Sequence, residues 1–363
     1  MATQFIQSSL DGKQYVLTSS LSGIQATTDS AKIDVSLSCE NGLDGESETF
    51  YSSSLYAFDG MVELSDVGSI VEEYFRMRDK VADTISIEFD DVSMLVHFLY
   101  CEYSLPDEFN PQKAFFVAAQ VQRVHQDSLI AISAVDRGDD TPFIIKAVGH
   151  ALADDSLTVV EKSTLMSFNQ MGVACFNVAD IIRWALNMTD EEAGADLRDV
   201  LYFSIEYAGI QKMCYIVPAP AYLTFTFRNV FNVEEYIDVA GEMVTKTVVS
   251  RDVAVCRGRS RQYDRTVERS YQIATEQLTP EEVRIFEQFL ASHNVALSLD
   301  GHTWPVIITE HTCEPSSADD SLATVQFTWR FADRRPRLFD SIMDGVMPAR
   351  RKIFDDTFSP EYE

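Results

Sequence analysis

The chain has 363 residues, with 57 Asp and Glu against 29 Lys and Arg, for a formal net charge of -28. So large an acidic excess argues against general nucleic-acid binding, which needs a basic footprint. It suits a solubilised surface, or a wall along which a polyanion passes without being held. Hydrophobic residues at 46% and charged residues at 24% exclude a disordered or fibrous chain, and the length is enough for two or three cores.

The opening MATQFIQSSLDGKQ lacks the basic start, apolar core and small-residue cleavage site of a secretory leader, and no apolar run is long enough to cross a bilayer. The expectation is a chain without membrane insertion, made in the cytoplasm and leaving it, if at all, by assembly and lysis. Six cysteines (Cys39, Cys101, Cys175, Cys214, Cys256, Cys313) stand singly with no C-x-x-C, as expected of buried thiols in a reducing compartment.

Residues 1–30 read as an N-terminal arm. Two later stretches read as one unit written twice, over 31–110 and 142–222. GMVELSDVGSIVEEYF (60–75) and GVACFNVADIIRWAL (172–186) each predict a short strand ending in a capped helix. Asp66 is the expected cap of the first helix, with Val67, Ile70, Val71, Tyr74 and Phe75 on its buried face. Asn177 is the expected cap of the second, with Val178, Ile181, Ile182, Ala185 and Leu186. Each helix is followed by a predicted hairpin. Ser86-Ile87-Glu88-Phe89 matches Ser204-Ile205-Glu206-Tyr207, the turns fall at Asp90-Asp91 and Ala208-Gly209, and Cys101 and Cys214 are expected at similar places in the returning strands. KIDVSLSCENG and PFIIKAVGHAL supply one further strand upstream in each copy. The expected fold is mainly β: two tandem repeated β-sandwich-like domains with short helices, joined by a crossing segment over 111–141, then an α+β domain.

That last domain spans 223–340, ahead of a C-terminal tail at 341–363. YLTFTFRNVF predicts a strand, and residues 242–277 predict two long strands around a basic tip. Thr279-Pro280-Glu281-Glu282 predicts a helix start, with Thr279 as cap, Pro280 at the first helical position and Glu282 closing a capping box. Val283, Phe286, Phe289 and Leu290 form its apolar face. VALSLDGHTWPVIITEHTC predicts a hairpin turning at Asp300-Gly301. In ATVQFTWRFAD, Ala323, Val325, Phe327, Trp329 and Phe331 alternate onto one face of a closing strand.

Basic residues gather in this domain. Arg257, Arg259 and Arg261 mark the tip of the long hairpin, and Arg334, Arg335 and Arg337 follow the closing strand. The first two domains carry acidic stretches, ENGLDGESE and DEEAGAD. Surfaces of opposite sign on one chain suit head-to-tail assembly, with the six arginines as expected interface residues.

The sequence carries no signature of catalysis. H-E-x-x-H, G-x-S-x-G, phosphate-loop and dinucleotide glycine patterns are missing. His302, His311 and Cys313 gather on one predicted hairpin but lack the fourth ligand of a structural zinc site, so no metal and no cofactor are expected. The Asp pairs at 90–91, 154–155 and 319–320 read as turns. Trp184, Trp304 and Trp329 read as core rather than sugar platforms. The expectation is a protein that is not an enzyme.

The series RSYQIATEQLTPEEVRIFEQFLASHNVAL, WPVIITEHTCEP and ATVQFTWRFADRRPRL resembles tail proteins of phages and prophages of Bacteroides-like bacteria. The D-G-x-V-x-L-S-D-V segment and LYC strand of the first repeat are similar to the front half of the same proteins. The resemblance spans most of residues 31–340. It implies a non-enzymatic virion part, such as a tube end, distal-tail or baseplate component. Such a part is assembled as a homo-oligomeric ring with other tail proteins in the bacterial cytoplasm, with DNA passing an acidic channel. The alternative is a surface carbohydrate-binding or adhesin protein built of tandem sandwiches.

Overall fold

The architecture is that of a computed structural model, which describes residues 3–12, 15–40, 47–105, 110, 114–134, 142–164, 173–186, 197–218, 223–299, 302–313 and 322–333. Among the described residues strands dominate, gathered into five sheets with three α-helices, so the fold is mainly β.

The first segment holds β1 (Gln4–Phe5), β2 (Val16–Leu17), β3 (Gly23–Thr27), β4 (Lys32–Glu40), β5 (Ser47–Tyr56) and β6 (Met61–Ser65). Helix α1 (Val67–Met77) follows, then β7 (Ala82–Phe89) and β8 (Val92–Leu99). One sheet runs β2-β8-β7-β4-β5 and the other β1-β3-β6. Alternate residues such as Val35, Leu37, Ile85 and Ile87 turn inward onto Val67, Val71 and Phe75 of the helix.

The second segment holds β9 (Val121–Val124), β10 (Leu129–Ser133), β11 (Phe143–His150), β12 (Leu157–Thr164) and β13 (Val173–Asn177). Helix α2 (Val178–Ala185) follows, then β14 (Tyr202–Tyr207) and β15 (Ile210–Ile216). Its sheets run β9-β15-β14-β11-β12 and β10-β13. The five-stranded sheets match strand for strand, down to the parallel pair at the sheet edge, β2 on β8 and β9 on β15, while the smaller sheet has three strands in the first segment and two in the second. The matched Ser-Ile-Glu triplets sit at equivalent places. Ile87 lies opposite Leu37, Ile205 lies opposite Ile145, and both hairpins close through two-residue turns.

Several expectations are corrected here. Residues 1–30 are not an arm: β1, β2 and β3 pair into the first segment, where Ile24 and Ala26 are fully buried. Residues 111–141 are not a plain crossing, since β9 and β10 complete the second segment's two sheets. Cys101 and Cys214 are not equivalent. Counted from the hairpin turns, Cys214 matches Val96, while Cys101 lies past the end of β8. Asp66 adopts a left-handed conformation and makes no side-chain cap, whereas the Asn177 side chain accepts from Ala179 N at 2.9 Å.

The third segment holds β16 (Leu223–Arg228), β17 (Glu234–Val239), β18 (Gly241–Cys256) and β19 (Arg259–Thr275). Helix α3 (Pro280–Ala291), β20 (Val295–Leu299), β21 (His302–Thr312) and β22 (Gln326–Phe331) follow. They form one antiparallel sheet, β17-β16-β20-β21-β22-β19-β18. Helix α3 lies over it, with Phe289 against Phe225, Phe227 and Phe327. Its capping box is complete: Thr279 Oγ1 accepts from Glu282 N at 3.4 Å, and Glu282 Oε2 accepts from Thr279 N at 2.7 Å. Trp329 and Trp184 are buried and Trp304 is partly buried against the core.

A fourth apolar cluster joins all three segments. Leu99 and Cys101 meet Phe116 and the β16–β17 loop residues Val230, Phe231 and Val233. Asn232, at the loop's left-handed corner (φ 58°), donates from Nδ2 to Lys80 O at 2.9 Å.

Candidate assembly interface

Strands β18 and β19 are the longest among the described residues, and only their base pairs with the rest of the large sheet. β19 pairs with β22 from Tyr271 to Ala274, and beyond Tyr271 the two strands pair with each other alone. The free ribbon from Thr245 to Cys256 and back extends roughly 36 Å at the usual strand rise. Arg257 and Gly258 turn its tip, both at positive φ (51° and 74°), which is the geometry of a two-residue hairpin that follows the strand twist.

The base of the ribbon is fixed by packing. Tyr271 stacks on Trp329 with centroids 4.4 Å apart, and Ile273 is fully buried. Gly241 begins β18 where a Cβ would lie 2.1 Å from Ala274 O, so no side chain fits there. The large sheet is tied to the second segment by a buried charge network. Lys212 Nζ lies 3.4 Å from Glu235 Oε2, both side chains being 1% exposed. Glu235 also accepts from Asn229 Nδ2 at 2.6 Å and from Ala118 N. Gln122 Nε2 donates to Tyr236 O at 2.8 Å, and Arg123 pairs with Glu282 of α3.

Among the described residues, nothing covers the faces or the outer edges of the projecting part. Val248, Val249, Val253, Val255 and Tyr263 are exposed, Val255 at 73%. Seven basic residues between 245 and 270 outnumber three acidic ones, in a chain of charge -28. Arg251 stands directly opposite Arg265, and Asp252 directly opposite Asp264, which are repulsive cross-strand pairs. A two-stranded ribbon is marginal in water by itself. One with apolar side chains on the outside and like charges abreast gains by covering them.

Of the arginines expected at an interface, Arg257, Arg259 and Arg261 all lie at the ribbon's exposed tip, with no ion-pair partner among the described residues. Arg334, Arg335 and Arg337 lie outside the described residues, as do most of the two acidic stretches and the Asp pair at 319–320. The exposed valines of β18 were missed as interface residues. Their signal is legible in TVVSRDVAVC, a β-branched run with no polar alternation to mark a solvent face.

Two ionisable groups outside the ribbon are shifted by the cores they sit in. Cys39 Sγ and Tyr74 OH are 2.7 Å apart, and burial, followed by the bond to Cys39, pushes the Tyr74 hydroxyl up to about 12. Burial pushes Cys214 up to about 12. His302 and His311 are exposed, and among the described residues no group of three or more His, Cys, Asp or Glu is placed to hold a metal ion. Neither a protein-family model nor a curated protein matches the chain.

Proposed function

We propose that the chain is a non-enzymatic structural component of a phage or prophage tail, whose copies and neighbouring tail proteins meet through oppositely charged surfaces. The observation that carries the assembly reading is the β18–β19 ribbon, which projects basic and apolar side chains into solvent from an otherwise acidic protein. A ribbon of this composition is suited to a protein surface, and Arg257, Arg259 and Arg261 supply its charge at the point of longest reach. The tail assignment adds the resemblance of residues 31–340 to tail proteins. In the finer reading, the two segments of equal pairing are tandem β-sandwich-like domains and the large sheet with α3 is the tail-type domain.

Light scattering across protein concentration, at low and high salt, tests the assembly reading. A concentration-dependent oligomer that loosens in salt is the expected result. A monomer under all conditions, together with binding on a glycan array, would replace the reading with the carbohydrate-binding alternative.

A further inference from the structure

The outer edge of β18 is the terminal edge of the seven-stranded sheet, and it runs sixteen residues from Gly241 to Cys256 with no strand beside it among the described residues. Long unpaired edges are templates for strand addition, and β18 has no proline, while its only glycine stands at its first residue. Where the ladder slips, between Asp252 and Val253, the extra residue is Tyr263 on β19, so the outer strand keeps an unbroken alternation.

We propose that β18 pairs antiparallel with β18 of a second copy about a two-fold axis at Val249, giving one continuous sheet across the two chains. This rests on the assembly reading above only in taking the ribbon as the contact element. It goes beyond that reading in naming the partner strand, the symmetry and the register. The side chains select the register. With Val249 opposite itself, Lys246 of each chain faces Asp252 of the other, so two ion pairs form by symmetry, and neither residue has an ion-pair partner among the described residues of its own chain. Thr245 then faces Val253, a β-branched pair. Cys256 faces Glu242, which lays the tip arginines along the partner's base, where Glu242 and Glu276 are exposed. Sliding the pairing by one residue in one direction sets Lys246 against Arg251, a like-charge pair. Sliding it by one in the other direction removes both ion pairs. The two-fold contact is isologous and leaves other surfaces free for a ring, so stacked rings of dihedral symmetry accommodate both.

The test uses the full chain with the three thiols that are not buried replaced (Cys175→Ser, Cys256→Ser, Cys313→Ser). Val249→Cys in this background places two cysteines directly opposite, within the Cα separation that a disulfide spans. Mild oxidation is expected to give a single covalent dimer. Val244→Cys is expected to stay uncross-linked, its twin lying roughly 33 Å away along the strands. Lys246→Glu is expected to raise the dimer dissociation constant about tenfold, and Lys246→Glu with Asp252→Lys to restore it. Equal cross-linking of both cysteine variants overturns the register. Failure of Val249→Cys to cross-link while light scattering shows an oligomer also overturns it, and leaves the assembly reading standing. A monomer throughout, with no cross-link, removes both.

Discussion

Replacing Lys212 by Met tests what holds the large sheet to the second segment. In the native chain the ammonium lies 3.4 Å from a carboxylate as buried as itself. Removing it leaves Glu235 with neutral donors only, Asn229 Nδ2 and Ala118 N. A buried ion pair broken from one side loses about 3–5 kcal/mol, because the surviving charge stays desolvated without its counter-charge. Glu235→Gln added to Lys212→Met removes that charge and keeps an acceptor for Ala118 N–H, so the double variant is expected within about 1–2 kcal/mol of the parent. Urea unfolding followed by tryptophan emission reads both cores, since Trp184 lies in one and Trp329 in the other. A single variant that loses less than about 1 kcal/mol would refute the reasoning. So would a double variant as unstable as the single one, because the loss would then come from packing rather than from a stranded charge.

Gly68→Ala is expected to destabilise the first segment strongly in the same urea assay, because the added Cβ would fall 2.0 Å from Thr18 O and 2.7 Å from Leu21 O, both backbone atoms. Thr279→Ala removes one arm of the α3 capping box and is expected to lower stability by about 1 kcal/mol, with Thr279→Ser close to neutral. Bonds from the backbone N–H and then the ring of His150 hold the Asp199 carboxyl below its usual range. A depressed carboxylate contributes stability above its unfolded value and loses it as pH falls through the folded one. Asp199→Asn is therefore expected to flatten the acid limb of stability against pH, and an unchanged limb would count against that bond.

What the sequence discloses and what it hides divide along the range of the interactions. The α3 capping box, the faces of α1 and α2, and the hairpin turns at Asp90-Asp91 and Ala208-Gly209 are local, and each is legible within a dozen residues. The strands β1, β2, β3, β9 and β10 hide inside an apparent arm and connector because they are short and pair with strands outside their own stretch or across a loop. β9 pairs in parallel with β15, some ninety residues on, and no local periodicity reports that. Asp66 has the residue type of a cap, yet its N–H bonds to Ser22 O at 2.5 Å and the chain turns there through the left-handed region. Cys101 looked like a repeat of Cys214 because each sits in an apolar run, but it belongs to the cluster that joins the three segments. The basic tip was legible as composition. The exposed valines behind it needed the knowledge that among the described residues no strand but β19 lies beside β18.

The central claim is that the ribbon is where this protein meets its neighbours. Its most direct test compares the solution mass of the full chain with that of a variant in which residues 246–270 are replaced by a short Asn-Gly turn joining the cross-strand partners Thr245 and Tyr271. The prediction is an oligomer for the full chain and a monomer of unchanged thermal stability for the shortened one, since the removed residues bury almost nothing of the core. A shortened variant that assembles to the same order and affinity as the full chain would contradict the claim.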